Sequence, residues 1–127
     1  MNLLLDTHFV LWVLASSPRL ERYPWLDDHR PWGVSPISLL ELQYLAEIGR
    51  LEMLDAVGLE EALGVDPRFV VDEPPLSPLI RHALALGWTR DPFDRLLVAH
   101  SLTRRVPLCT TDRTIRANHG LVVEGIG

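Results

Sequence analysis

Apolar residues along this chain follow two patterns. Some stand in short solid runs; others recur every three or four positions over longer stretches. Solid runs bounded by turn residues read as strands buried on both faces. They occupy residues 2–6, 32–34, 69–72, 107–111 and 121–123. Between them the spacing predicts helices over 8–15, 38–48, 51–63, 76–86, 92–104 and 113–117. In the first helix Phe9, Trp12 and Val13 share a face, while Gly49 and Gly87 end two of the others. Asp91 followed by Pro92 supplies an N-cap and a first helical residue. Pro18, Pro24 and Pro31 keep any helix in residues 16–31 short or broken. Strands that alternate with helices predict an α/β domain whose parallel sheet is covered on both faces. No repeat, low-complexity tract or linker interrupts residues 1–127, so one domain is expected.

Composition narrows the class. Hydrophobic residues make up 47% of the chain, too many for a disordered segment. No apolar run approaches a membrane span, and the start has no basic region of the kind that opens a signal peptide. A cytoplasmic protein with no membrane partner is expected. Cys109 stands alone and cannot form an internal disulfide. The formal charge is −5, which argues against a broad basic surface for duplex DNA. It leaves open a nucleic-acid substrate held through a metal ion. All twelve basic residues are arginine. The absence of lysine removes a P-loop Lys, a Schiff-base Lys and the Lys of aspartate-based phosphotransfer sites.

Candidate chemistry lies in acids placed where strands give way to helices. Asp6 closes the first strand, Glu41 opens the second βα unit, Asp91 and Asp94 begin the 92–104 helix, and Asp112 follows the fourth strand. Each has a local explanation. Asp6 and Asp112 suit helix caps, and Ser38-Leu39-Leu40-Glu41 has the form of a capping box. One cap suffices for the 92–104 helix, and Asp91 fits it, which leaves Asp94 as a ligand candidate. Four unrelated caps need not share an edge of a sheet, whereas a cation site must. In a parallel sheet these junctions do share one edge, where open α/β sheets bind ligands. Clustered carboxylates repel, so their convergence signals a divalent cation. Mg²⁺ or Mn²⁺ suits such an all-oxygen donor set. Thr7, Ser35, Ser38 and Thr110 are candidate hydrogen-bonding supports, and Arg95 is a candidate phosphate contact or else the partner of a nearby acid. The five histidines show no metal-ligand spacing and read as surface or core residues, and Cys109 reads as inert.

These segments resemble a known family. Leu4-Leu5-Asp6-Thr7-His8, the Ser35, Ser38 and Glu41 spacing, the block from Arg90 through Asp94 and Arg95 to His100, and Thr110-Thr111-Asp112 look like a PIN domain. More narrowly they look like VapC-type toxins of prokaryotic toxin–antitoxin pairs. The resemblance covers nearly the whole chain, and the Asp-Pro-Phe-Asp-Arg block is its most specific part. Leu45 stands where relatives often carry Lys, and Leu86-Gly87-Trp88-Thr89 replaces a Leu-Pro-x-x-His segment. The resemblance implies a three-layer α/β/α sandwich with a mainly parallel five-stranded sheet ordered 3-2-1-4-5. It carries an acidic metal site over to Asp6, Glu41, Asp94 and Asp112. It also implies hydrolysis of RNA by metal-activated water, leaving 5′-phosphate and 3′-hydroxyl ends. The partners it implies are an RNA substrate, a small cognate antitoxin and a second copy of the chain. Three rivals stand beside this expectation: a catalytically silent interaction module, a phosphoryl-accepting or other phosphohydrolase domain, and a housekeeping nuclease of RNA maturation.

Overall fold

A computed structural model describes residues 1–51 and 56–124. The strands are β1 (Leu4–Leu5), β2 (Trp32–Val34), β3 (Phe69–Val71) and β4 (Leu108–Cys109). The helices are α1 (Thr7–Leu14), α2 (Pro36–Glu47), α3 (Ala56–Val65), α4 (Leu76–Leu84), α5 (Pro92–Arg104) and α6 (Arg113–Asn118). Two 3-10 turns, Pro18–Arg22 and Pro24–His29, fill the proline-rich stretch. Proline stands at the start of each, where its missing N–H costs no hydrogen bond.

All strand pairs are parallel, in the order β3-β2-β1-β4. The expected fifth strand is reduced to one parallel bridge between Leu108 and Val122. Its two bonds are Leu108 N–H to Leu121 O and Val123 N–H to Leu108 O, each 3.0 Å. β4 is only two residues long, so it offers a partner little to pair with. The bridge still lies on the far side of β4 from β1, at the expected fifth position. Residues 52–55 of the expected 51–63 helix lie outside the described residues.

Side chains of β1 alternate between the two faces, as the pleat requires. Leu3 and Leu5 join Phe9, Val10, Val13, Trp32 and Leu63 in one core. Leu4 points the other way and packs with Val98, Leu108 and Ile115. Helices α1 and α3 thus cover one face and α5 and α6 the other, which is the expected three-layer arrangement. Trp32 anchors the larger core, with its indole N–H donated to Leu26 O at 2.8 Å and its ring 5.5 Å from Phe69. Gly33 pairs with Leu4, and a side chain there would press into the Leu3 carbonyl at 3.0 Å. Among the described residues, no helix is long and apolar enough to cross a membrane.

Candidate active site

Asp6 and Asp112 sit where a strand hands over to a helix, whereas Asp91 and Asp94 open α5, which follows α4 and not a strand as expected, and Glu41 lies inside α2. Asp6 directly follows β1 and caps α1, accepting the Phe9 N–H on Oδ1 at 2.9 Å. That leaves its second oxygen uncommitted to the cap. Asp112 plays the same part for α6, accepting the Ile115 N–H at 2.9 Å. The cap and ligand readings of these two acids are therefore compatible. Asp91 caps α5 and takes the N–H groups of Phe93 and Asp94 at 2.8 and 3.3 Å. Asp94, the third residue of α5, is freed from capping, and among the described residues no hydrogen bond or ion pair holds its carboxylate.

The α2 junction differs from the expectation. No capping box forms at Ser38. The cap is Ser35, whose hydroxyl accepts the Ile37 N–H at 3.2 Å, and Pro36 takes the first helical position. Proline there is pre-set for helical φ and loses no bond, so the helix starts two residues early. Glu41 consequently stands in the second turn. Ser38 turns inward, fully buried, and accepts the Thr7 hydroxyl at 3.1 Å.

Asp6, Glu41, Asp94 and Asp112 line one cavity with Thr7, His8, Leu97 and Ile115. Its volume is about 40 Å³, room for a cation and a few waters. The acids come from four separate segments spread from residue 6 to residue 112. Among the described residues, no three of these groups are drawn tightly enough to surround an ion as they stand. Closing around one calls for side-chain rotation, which Glu41 has through three torsions and Asp94 through its lack of a partner.

The electrostatics match an uncompensated anionic cluster. Burial, followed by the charges of Asp91, Asp112, Glu41 and Asp6, pushes the Asp94 carboxyl up to about 7. Burial also raises Asp6, against the Thr110 hydroxyl and the Phe9 N–H, which favour the charged form. Glu41 is raised too, mainly by burial, while the Thr7 hydroxyl beside it acts to lower it. Thr7 has one proton and two acceptors in reach, Ser38 and Glu41. No arginine pairs with any of the four acids among the described residues. The donor set is all oxygen and carries a charge that a hard divalent cation would neutralise, so the residues fit one.

Not every expected residue joins the site. Arg95 lines no part of the cavity; its guanidinium donates to Thr89 O at 2.8 Å and Ala83 O at 3.5 Å. It ties the end of α4 and the following loop to α5, because unsatisfied carbonyls attract a cation. Thr110 is fully buried, and its hydroxyl accepts the Asp112 N–H at 3.0 Å. His8 is the residue the sequence reading overlooked. It lines the cavity and is the basic group nearest Asp6 and Glu41 in effect, lowering both. Its place two residues after Asp6, in the first turn of α1, was the available signal. Cys109 is buried, and its thiol is pushed up by burial and by Asp6, so it is inert as a nucleophile.

Known proteins share this arrangement of chain. A toxin–antitoxin complex from Klebsiella pneumoniae is 20% identical with a TM-score of 0.63, covering 95% of each chain. VapBC2 from Rickettsia felis, bound to a promoter DNA fragment, is 18% identical with a TM-score of 0.66, covering 98% of each chain. FitAcB from Neisseria gonorrhoeae is 23% identical with a TM-score of 0.61, covering 95% of each chain. Identities this low establish a common fold. No curated protein matches the chain. The sequence pattern of the PIN domain, however, matches residues 3–120, a span that contains all four strands and all four cavity acids. With that span, the parallel sheet and the acidic edge in agreement, this chain belongs to the PIN-domain family.

Proposed function

We propose that this PIN domain is a divalent-metal-dependent endoribonuclease acting as the toxin of a type II toxin–antitoxin pair. The observation that carries the reading is the meeting of Asp6, Glu41, Asp94 and Asp112 in one cavity without a basic partner among the described residues. Asp6, Glu41 and Asp94 would hold Mg²⁺ or Mn²⁺, with Asp112 direct or through water. Such an ion, when bound, supplies an activated water and charge neutralisation at a scissile phosphate. The chain's own contribution is positioning. The caps at Phe9 and Ile115 fix Asp6 and Asp112, while Thr110 supports the Asp6 carboxylate, Thr7 the Glu41 carboxylate, and Ser38 holds Thr7. The metal-free Asp94 carboxyl, raised to about 7 by burial and by its acidic neighbours, marks the charge that a bound cation would neutralise.

A toxin also needs partners. Leu40, Tyr44 and Ile48 form an exposed stripe on and just past α2, and Leu76, Ile80 and Leu84 form another on α4. Each repeats at four-residue spacing, the signature of a helix face meant to be covered. We assign these stripes to an antitoxin segment and to a second copy of the chain. Leu40 and Tyr44 adjoin Glu41 on α2, so a segment lying on that stripe ends beside the acids. The test is cleavage of structured RNAs with Mg²⁺, Mn²⁺ or chelator. Wild type should cut only with metal, and Asp6→Asn and Asp94→Asn should not cut. Undiminished cutting by either variant removes that residue from the site, and activity in chelator removes the metal.

A further inference from the structure

A second cavity, of about 460 Å³, adjoins the acidic one and has the opposite character. Arg19, Arg22, Arg113 and Arg116 line it together with Trp12 and Tyr23, and no acid does. A third of the arginines thus gather in one place on a chain whose net charge is −5. Arg19, Arg22 and Arg113 are exposed, and among the described residues none is in an ion pair. Arg116 spends one terminal nitrogen on Thr110 O and Val123 O, which fixes its stem and leaves other donors available. The Arg19 guanidinium sits 5.4 Å from the Trp12 ring centre, and the Trp12 and Tyr23 rings are parallel to within 1°.

The two cavities share a wall. Asp112 lines the acidic one, while its neighbours Thr111 and Arg113 line the basic one. On α1, His8 faces the first cavity and Trp12 the second, one turn or about 6 Å further along the helix. We infer that this arginine and aromatic cavity binds the single-stranded RNA segment flanking the scissile phosphate. Guanidinium groups hold the phosphates, and Trp12 and Tyr23 offer apolar faces to a base. An acidic peptide would use the arginines and leave the aromatic faces idle, which is why RNA is the better occupant. This inference deepens the nuclease reading and rests on it for the strand's direction toward the acids.

The experiment uses the whole chain and a short fluorescent single-stranded RNA, with binding measured by anisotropy in chelator so that nothing is cut. Arg19→Gln/Arg113→Gln should weaken binding at least tenfold. It should also lower the slope of log affinity against log salt by about 1.4, two single-strand phosphate contacts. Arg81→Gln, exposed on α4 and outside both cavities, is the control. With metal present, the double variant should raise KM and retain kcat at saturating RNA. Unchanged affinity and slope in the double variant overturns the inference. So does equal weakening by Arg81→Gln, or equally tight binding of a polyglutamate peptide of the same charge. Arginine-dependent binding with no cleavage under any metal would leave the groove standing and refute the nuclease. Metal-dependent cleavage with an unaltered KM would do the reverse.

Discussion

His100 Nδ1 lies 2.8 Å from the Ser35 hydroxyl, a contact that joins α5 to the cap of α2 across 65 residues of sequence. One of these helices carries Asp94 and the other Glu41. Both partners are fully buried. On its other side the imidazole meets Asp72 Oδ2 at 2.7 Å, and Asp72 also accepts from Arg104 Nε at 2.8 Å. Burial pushes the Asp72 carboxyl up, but the bonds from Arg104 and His100 together hold it below its ordinary value. An ionised carboxylate only accepts, so Nε2 carries the proton. Burial lowers His100, more than Asp72 raises it, so the ring is neutral and Nδ1 accepts from Ser35. Ser35 meanwhile accepts the Ile37 N–H, and every polar atom in the chain of contacts is satisfied.

Ser35→Ala removes a cap and orphans a buried nitrogen. It should cost about 2 kcal/mol of stability, read by urea unfolding. Because α2 would lose its anchor to α5, the metal concentration for half-maximal cleavage should rise about tenfold. A stability loss with no change in metal requirement would show that this contact does not position Glu41.

Asp6 serves as cap and proposed ligand, and two substitutions separate the roles. Asn caps as well as Asp, whereas Ala does not. Asp6→Asn should therefore melt no lower than wild type and lose at least a hundredfold in cleavage, about the upper loss seen for supporting residues. Asp6→Ala should lose the same activity and about 1 kcal/mol more stability. Equal stability of the two variants would mean that the Phe9 cap carries no weight.

Burial of Asp94, reinforced by repulsion from its acidic neighbours, gives a pH signature for the metal-free protein. Asp94 has a folded value near 7 against an ordinary 3.8. Between those values the folded chain holds a proton that the unfolded chain has released. Its contribution is thus full below about 4 and is lost as pH rises through about 7. Asp94→Asn cannot ionise. In chelator it should melt a few degrees above wild type at pH 8 and level with it near pH 4. Added Mg²⁺ should raise the wild-type melting temperature and leave the variant nearly unmoved. A gap of equal size at both pH values would locate its cause outside the Asp94 charge.

Arg95 should behave as a structural residue. Arg95→Gln releases the carbonyls of Thr89 and Ala83 and should cost about 1 kcal/mol. The salt dependence of RNA binding should not change. A reduced slope would return Arg95 to the substrate.

Local chemistry was legible in the chain itself. Solid apolar runs marked the four strands, and the Asp91-Pro92 pair set the start of α5 to the residue. The placement of Asp6 and Asp112 at strand–helix junctions could be read from their immediate neighbours. Such features depend on a few adjacent residues, because caps, turns and periodicity are short-range. Contacts between distant segments were not legible. Nothing near Ser38 reveals that its hydroxyl meets Thr7 rather than capping a helix, and nothing near Arg95 reveals the Ala83 carbonyl. His100 looked like any core histidine until Ser35 and Asp72 closed on it. The arginine cavity draws on residues 12 to 116, a gathering that no window of sequence contains. Only folding decides such meetings, since burial and sheet order bring side chains together irrespective of their separation along the backbone.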